Sequence, residues 1–200
     1  MSKHRGVAII VDDDADVRGS LASLLTAANF RTMTHASGAA LLKAGLPTQP
    51  TCLILDLQLP GEDGIHIQRQ LRERDPQLPI IFLSGQADVP SAVAALKDGA
   101  VDFLEKGGFE PEALIQWVGD AIEQHRTQLK QRARIQGLSH RERQVAYMVA
   151  QGKANKVIAA ELGISNRTVE IHRGNAMHKL DLRSVTDLAR LTSELSGHPE

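Results

Sequence analysis

The chain has 200 residues, 42% hydrophobic and 3% aromatic, with a formal net charge of −1. That length permits one large domain or two small ones, with a core of Leu, Ile, Val and Ala. A single cysteine, Cys52, excludes a disulfide framework and suits a reducing cytoplasm. The apolar stretch near the N-terminus meets Asp12 after five residues, too short for a signal peptide, and no run is long enough to span a bilayer. The near-zero net charge hides an asymmetry. Residues 1–123 carry 10 Lys+Arg against 17 Asp+Glu, a net of −7, and residues 124–200 carry 13 against 7, a net of +6. An acidic front and a basic back imply two domains with different partners, the second suited to nucleic acid.

In chain order, Val7–Val11 (VAIIV) is an unbroken apolar run of the kind buried on both faces of a sheet, and Asp12, Asp13 and Asp14 follow it. A helix is expected over Asp16–Ala28, with Val17, Leu21, Leu24 and Leu25 on one face. An outer strand is expected over Phe30–His35, and Ser37 is placed to cap a short helix through Ala44. The run at Cys52–Leu55 is a second buried strand, stopping at Asp56 before Pro60, Gly61 and Gly64 break the chain. Then come a helix near Asp63–Glu73, a strand at Ile80–Leu83 ending in Ser84-Gly85, a helix at Val89–Asp98, and a strand at Val101–Leu104 ending in Glu105-Lys106. A helix with Pro111 at its first position follows. Five alternations of strand and helix in about 120 residues predict a doubly wound, five-stranded parallel α/β sheet with helices on both faces.

Such a sheet gathers its strand ends on one rim, where open α/β folds keep their ligand crevices. Alone, Asp12–Asp14 reads as a solvated acidic loop, Ser84 as a turn residue and Lys106 as a surface lysine. Together with Asp56 they are complementary: carboxylates for a hard divalent cation, a central carboxylate nucleophile, a hydroxyl and an ammonium. A carboxylate attacks a phosphoryl group only where charge on the phosphoryl oxygens is neutralised, and Mg²⁺ with its oxygen ligands supplies most of that. Lys106 and Ser84 are suited to the remaining oxygens.

The segments VDDDADVR, LDLQLPGEDG and LSGQADVPSAVAALKDGAVDFLEK resemble the receiver domain of bacterial two-component response regulators, over about residues 5–123. The resemblance implies a flavodoxin-like fold in which Asp56 accepts a phosphoryl group from a phosphohistidine of a sensor histidine kinase. It implies Asp12 and Asp13 as the Mg²⁺-holding pair, with Asp56 and the Gln58 backbone carbonyl as further ligands. Ser84 stands where the family has Thr or Ser, and Phe103 where it has an aromatic switch that turns inward on activation. For Phe103, ordinary core packing is the companion reading. Val93, Lys97 and Asp102 resemble the family's dimer contacts, and Gln58 and Gln86 flank the path of an attacking water. One departure stands out. The family follows this lysine with a cis proline, whereas here Gly107 and Gly108 intervene before Phe109, and a cis bond to glycine would cost about 2.5–4 kcal/mol.

Ala121–Gln136 is polar and basic without a breaker until Gly137, and is expected to continue the preceding helix as a solvated linker over 124–137. A coiled-coil seam through Ile122, Leu129 and Ile135 is the alternative. From 138 to 200 the pattern is helical only. Ser139 with Glu142 fits a capping box, Asn155–Leu162 is a short helix ended by Gly163, Ser165 or Asn166 caps a longer helix to Leu180, and Ser184 starts a last one. Two helices joined by a tight glycine turn form either an ordinary helical hairpin or a helix-turn-helix, and the basic balance with the polar face Arg167, Glu170, His172, Arg173 and Asn175 favours the second. Residues 138–195 resemble the LuxR-type helix-turn-helix. Candidate DNA contacts are Lys156, Arg167, Thr168, Glu170, His172, Arg173 and Lys179. Glu170 either accepts from cytosine N4 or pairs with Arg173 or Arg167, and Ile171 and Gly174 face either the groove or the core.

Receiver plus LuxR-type output is the arrangement of the NarL/FixJ response regulators. It implies a cytoplasmic transcription regulator that dimerises when phosphorylated, binds promoter DNA and works with RNA polymerase, with no membrane partner and no turnover of external substrates. Two alternatives stand beside it. One is a phosphorylation-independent receiver serving only to dimerise. The other is a phosphatase of the haloacid dehalogenase type, which needs an acid two residues after the nucleophile, where this chain has Gln58.

Overall fold

The structure, a computed structural model, describes residues 4–85, 93, 96, 97 and 99–191, apart from the side chain of Glu62. Most of the helix expected over 89–98, and Gln86, lie outside the described residues. The chain divides into two compact units, Met1–Gln128 and Leu129–Glu200.

In the first unit the elements run β1 (Val7–Val11), α1 (Ala15–Ala27), β2 (Arg31–His35), α2 (Gly38–Ala44), β3 (Thr51–Asp56), a small antiparallel pair β4 (Gln58–Leu59) and β5 (Glu62–Asp63), α3 (Gly64–Arg74), β6 (Ile80–Ser84), β7 (Asp102–Glu105) and α4 (Pro111–Gln136). The five long strands form one parallel sheet in the order β2-β1-β3-β6-β7. The expected doubly wound sheet is present, and its order reverses between β1 and β3, the place where such folds open a crevice. Strand periodicity divides the core in two. Ile9, Val11, Leu53, Leu55 and Phe82 face one side with Leu41 of α2 and Ile67 and Leu71 of α3. Ala8, Ile10, Ile54, Ile81 and Leu83 face the other with Leu21 and Leu25 of α1 and Leu114, Val118 and Ile122 of α4. Both faces are covered, so β1 and β3 read as continuous apolar runs rather than alternating ones. Cys52 is wholly buried in this layer, and desolvation pushes its thiol up to about 12, leaving it an inert apolar side chain.

Local chemistry sets the ends. The Asp14 carboxylate caps α1 by accepting from the N–H groups of Asp16 (2.8 Å) and Val17 (3.3 Å), and these bonds hold its carboxyl below the usual range. Asp63 caps α3 at Ile65, and Ser37 caps α2 at Ala40. The last strand begins at Asp102, one residue later than expected. The stretch after Ala121 is not solvated throughout. Ile122 is buried in the core of the first unit, and His125 is 2% exposed, its Nδ1 against the Thr51 backbone and its Nε2 3.0 Å from Asp75. Ile135 is buried in the second unit. Ile122 and Ile135 therefore serve separate cores and share no coiled-coil seam.

The second unit comprises the end of α4, then α5 (His140–Ala150), α6 (Asn155–Leu162), α7 (Asn166–Leu180) and α8 (Val185–Arg190). Its core holds Val145, Val149, Ile158, Val169, Ala176, Leu180 and Leu188. Gly163 takes a left-handed φ of 65° and ends α6, Ser165 rather than Asn166 caps α7, and Ser184 caps α8. The capping box forms as expected: Glu142 N donates to Ser139 Oγ (3.3 Å) and Ser139 N to Glu142 Oε2 (2.7 Å). The same buried carboxylate accepts from Lys179 Nζ at 2.6 Å. Lys179 foremost, then the Ser139 N–H, holds Glu142 below its usual value of 4.5. A depressed carboxylate contributes stability that is present above its unfolded value and is lost as pH falls through the folded one. The second unit is therefore expected to weaken as pH drops below about 4.5, and Glu142→Gln should be less stable at neutral pH with a flatter acid limb. Unfolding of both proteins followed by circular dichroism across pH checks this.

Candidate phosphoacceptor site and DNA-contacting helix

Parallel pairing brings four strand ends to one rim. Asp12 follows β1, Asp56 ends β3, Ser84 ends β6 and Lys106 follows β7. Register is carried past the strands by Leu57 N donating to Leu83 O (2.9 Å) and Lys106 N to Ser84 O (2.8 Å). Asp12 is fully buried, Asp56 is 3% exposed and Asp13 is open to solvent, yet one carboxylate oxygen from each lies within 4.8 Å of the others. Three carboxylates so close require a cation. Lys106 supplies one: its Nζ donates to Asp56 Oδ2 at 2.7 Å and stands 2.8 Å from Asp12 Oδ2. Burial alone would lower the Lys106 pKa, but the bonds to Asp12 and Asp56 outweigh it and raise it, so the ammonium is charged across the physiological range.

One ammonium leaves the cluster with an excess of negative charge. Asp12 Oδ2 is buried and, although it faces Lys106, has no aligned hydrogen bond. Asp12 Oδ1 accepts from Asp14 N and Asp56 Oδ1 from Gln58 N, which fixes both carboxylates. An all-oxygen donor set of three clustered carboxylates, facing the single ammonium of Lys106, fits a hard divalent cation. The sequence pattern does not single out Arg18. From α1 it donates to the carbonyls of Asp12 (2.6 Å) and Asp13 (2.8 Å), holding the acidic loop. Its only sequence signal was a lone basic residue one turn into a helix that opens acidic.

Ser84 is fully buried at the same rim. Phe103, on β7, is half-buried and packs against the core layer that includes Phe82. Val93 and Lys97 are exposed, and Asp102 Oδ1 accepts from Phe103 N. The bonds after Lys106 are trans, with Gly107 at a left-handed φ of 79°. The glycine pair therefore does not keep Lys106 from Asp56.

In the second unit, α7 turns Val169, Ala176 and Leu180 inward. Arg167, Glu170, Ile171, Gly174, Asn175 and His178 are exposed, while Thr168, His172 and Arg173 are half-buried and Lys156 is exposed on α6. Ile171 is 52% exposed, so it and Gly174 belong to the outward face. Glu170 pairs with Arg167 (3.7 Å), and Arg173 Nη1 instead donates to Asn155 Oδ1 (3.3 Å), tying α7 to α6. Lys179, expected among the DNA contacts, pairs with the buried Glu142 carboxylate at 2.6 Å while its side chain stays 44% exposed.

Family models agree with both units. "Response regulator receiver domain" matches residues 8–118 and "Bacterial regulatory proteins, luxR family" matches residues 136–192. The transcriptional regulatory protein FixJ of Azorhizobium caulinodans is 41% identical, across 91% of this chain and 89% of that protein. The response regulator protein TodT of Pseudomonas putida is 39% identical, across 100% and 91%. The crystal structure of full-length FixJ from B. japonicum superposes with a TM-score of 0.59 at 37% identity, covering 98% of this chain and 100% of that one. The chain belongs to the two-component response regulators of the NarL/FixJ group, phosphorylation-dependent transcriptional regulators that join a receiver to a LuxR-type DNA-binding domain.

Proposed function

We propose that Asp56 is the phosphoacceptor and that its phosphorylation by a sensor histidine kinase switches this chain to a DNA-binding homodimer. The observation that carries the reading is the Lys106 ammonium at 2.7 Å from Asp56 inside a three-carboxylate cluster. Asp12, Asp13, Asp56 and the Gln58 carbonyl would hold Mg²⁺, which when bound neutralises charge on the phosphoryl oxygens. An Asp56 carboxylate oxygen attacks phosphorus, the P–N bond to the kinase imidazole breaks, and its electron pair leaves with that nitrogen. Lys106, already charged, exchanges a carboxylate partner for a phosphoryl oxygen, and the Ser84 hydroxyl takes another. Phe103 packs behind Ser84's strand and turns inward with it, remodelling the surface of Val93, Lys97 and Asp102 for a second copy.

The chain acts on no external substrate, since the position two residues after Asp56 carries Gln58 rather than an acid. In the cytoplasm the dimer presents two α7 helices to paired half-sites and to RNA polymerase. Lys156 and Thr168 position it on phosphates, and Arg167, Glu170, His172 and Arg173 with their neighbours meet base edges. Beryllofluoride with Mg²⁺ should convert wild type from monomer to dimer in sedimentation and tighten promoter binding by at least about fivefold, the lower range of coupling between sites. DNA binding indifferent to the phosphoryl mimic would instead select the phosphorylation-independent dimerisation module.

A further inference from the structure

We infer that the base of the receiver sheet, at the pole opposite Asp56, carries a binding site for a compact, multiply charged oxyanion. A cavity of about 260 Å³ opens there, lined by His4, Gly6, Arg31, Gln49, Pro50 and Arg126. Three of the six lining residues bear basic side chains and none is acidic, in a domain whose sequence carries a net charge of −7 over residues 1–123. A concavity of opposite sign to the surrounding domain concentrates anions.

The basic side chains come from three separate parts of the fold, as a built site requires. His4 precedes β1, Arg31 opens β2 and Arg126 lies on α4. Arg126 is held: its Nε donates to Glu123 (2.9 Å) and its Nη2 to the carbonyl of Arg5. A guanidinium so oriented keeps donors free in a fixed fork, the geometry that suits oxyanions. Among the described residues Arg31 and His4 have no carboxylate partner, so an incoming anion displaces no internal ion pair at either. The cavity is just below the range of about 300–1,000 Å³ typical of drug-sized ligands, which suits a small phosphorylated or polycarboxylate molecule. Bound there, the anion would bridge the sheet to α4, beside the contacts of Ile122 with Gly6 and of His125 with Thr51.

The test uses the full-length protein in buffer stripped of divalent metal on a chelating resin, so that Mg²⁺-dependent phosphate binding at Asp56 is silent. Pyrophosphate and citrate are titrated at ionic strength matched with sodium chloride, and amide resonances and the thermal midpoint of the receiver are followed. The expected result is saturable movement of the resonances of residues 4–6, 31, 49, 50 and 126, with a raised midpoint. Affinity should fall about tenfold or more in Arg31→Gln and in Arg126→Gln, as loss of a charge-assisted bond implies, and stay unchanged in Arg190→Gln, at an exposed position of α8. Arg31 is exposed and its replacement leaves the core intact, so its loss of binding reports the site rather than the fold. Pyrophosphate alone saturating assigns a phosphorylated ligand, and citrate alone a polycarboxylate. Binding unaffected by Arg31→Gln, or no saturation below about 10 mM, overturns the inference. Failure of the phosphoacceptor reading would leave these results untouched, since no step here uses Asp56.

Discussion

Asp56→Asn should incorporate no acid-labile phosphoryl from a small-molecule donor in Mg²⁺, a fall of at least about a thousandfold, the scale on which removal of an enzyme nucleophile acts. The amide has no lone pair of comparable basicity to offer phosphorus. The substitution is also gentle structurally. Asp56 shares Lys106 with Asp12, whose Oδ2 stands 2.8 Å from the ammonium, so the lysine keeps a partner when the nearer one loses its charge. Taking one charge from three crowded carboxylates relieves repulsion and weakens Mg²⁺ binding together. Far-ultraviolet circular dichroism identical to wild type, with phosphorylation gone and Mg²⁺ affinity reduced, is the expected combination. Phosphoryl incorporation persisting in the variant would place the acceptor elsewhere.

Gly64→Ala should be the most damaging single-methyl change near the site. A Cβ there would meet Asp56 O at 2.8 Å and Leu57 Cα and O at 3.0 Å, all backbone atoms that no rotamer change can clear. Gly64 is the first residue of α3, so the helix gains some propensity from alanine, at most about 1 kcal/mol. Overpacking against backbone costs about 1–3 kcal/mol and wins. The displaced atoms belong to the phosphoacceptor and its neighbour, so phosphorylation should slow by about tenfold or more, since misplacement by an ångström can cost about a hundredfold. Gly19→Ala, within α1 and with nothing near its Cβ, is the opposing control and should stabilise by about 0.5–1 kcal/mol. Thermal unfolding and phosphorylation rates of the two variants side by side check both signs.

Residues whose role comes from their own element were legible early. VAIIV and CLIL are buried strands because both faces of a parallel sheet are covered, and each ends in the carboxylate that a strand end delivers to the rim. Ser139 with Glu142, Ser184 and Gly163 declared their caps and turn by type and spacing. Roles set by partners far along the chain were not legible. The sequence does not show that Lys179 also pairs with Glu142 at 2.6 Å, or that Arg173 Nη1 donates to Asn155 at 3.3 Å. Glu170 is balanced in sequence between accepting from cytosine N4 and pairing with Arg173 or Arg167; it stands 3.7 Å from Arg167, while the Arg173 side chain turns toward α6.

The sequence by itself determined the order of the five long strands, the two-domain division of charge and which residues follow the strand ends, because strand and helix periodicity and breaker residues act within a local window. The tertiary structure decided what closes between them. It placed Arg18 on the Asp12 and Asp13 carbonyls, let Lys106 span Asp56 and Asp12 with trans glycines behind it, and buried His125 between Thr51 and Asp75 in a stretch that reads as solvated. These contacts join residues up to 94 positions apart, as Lys106 and Asp12 are. Their energy comes from pairing charges and donors removed from water, which only the assembled sheet removes.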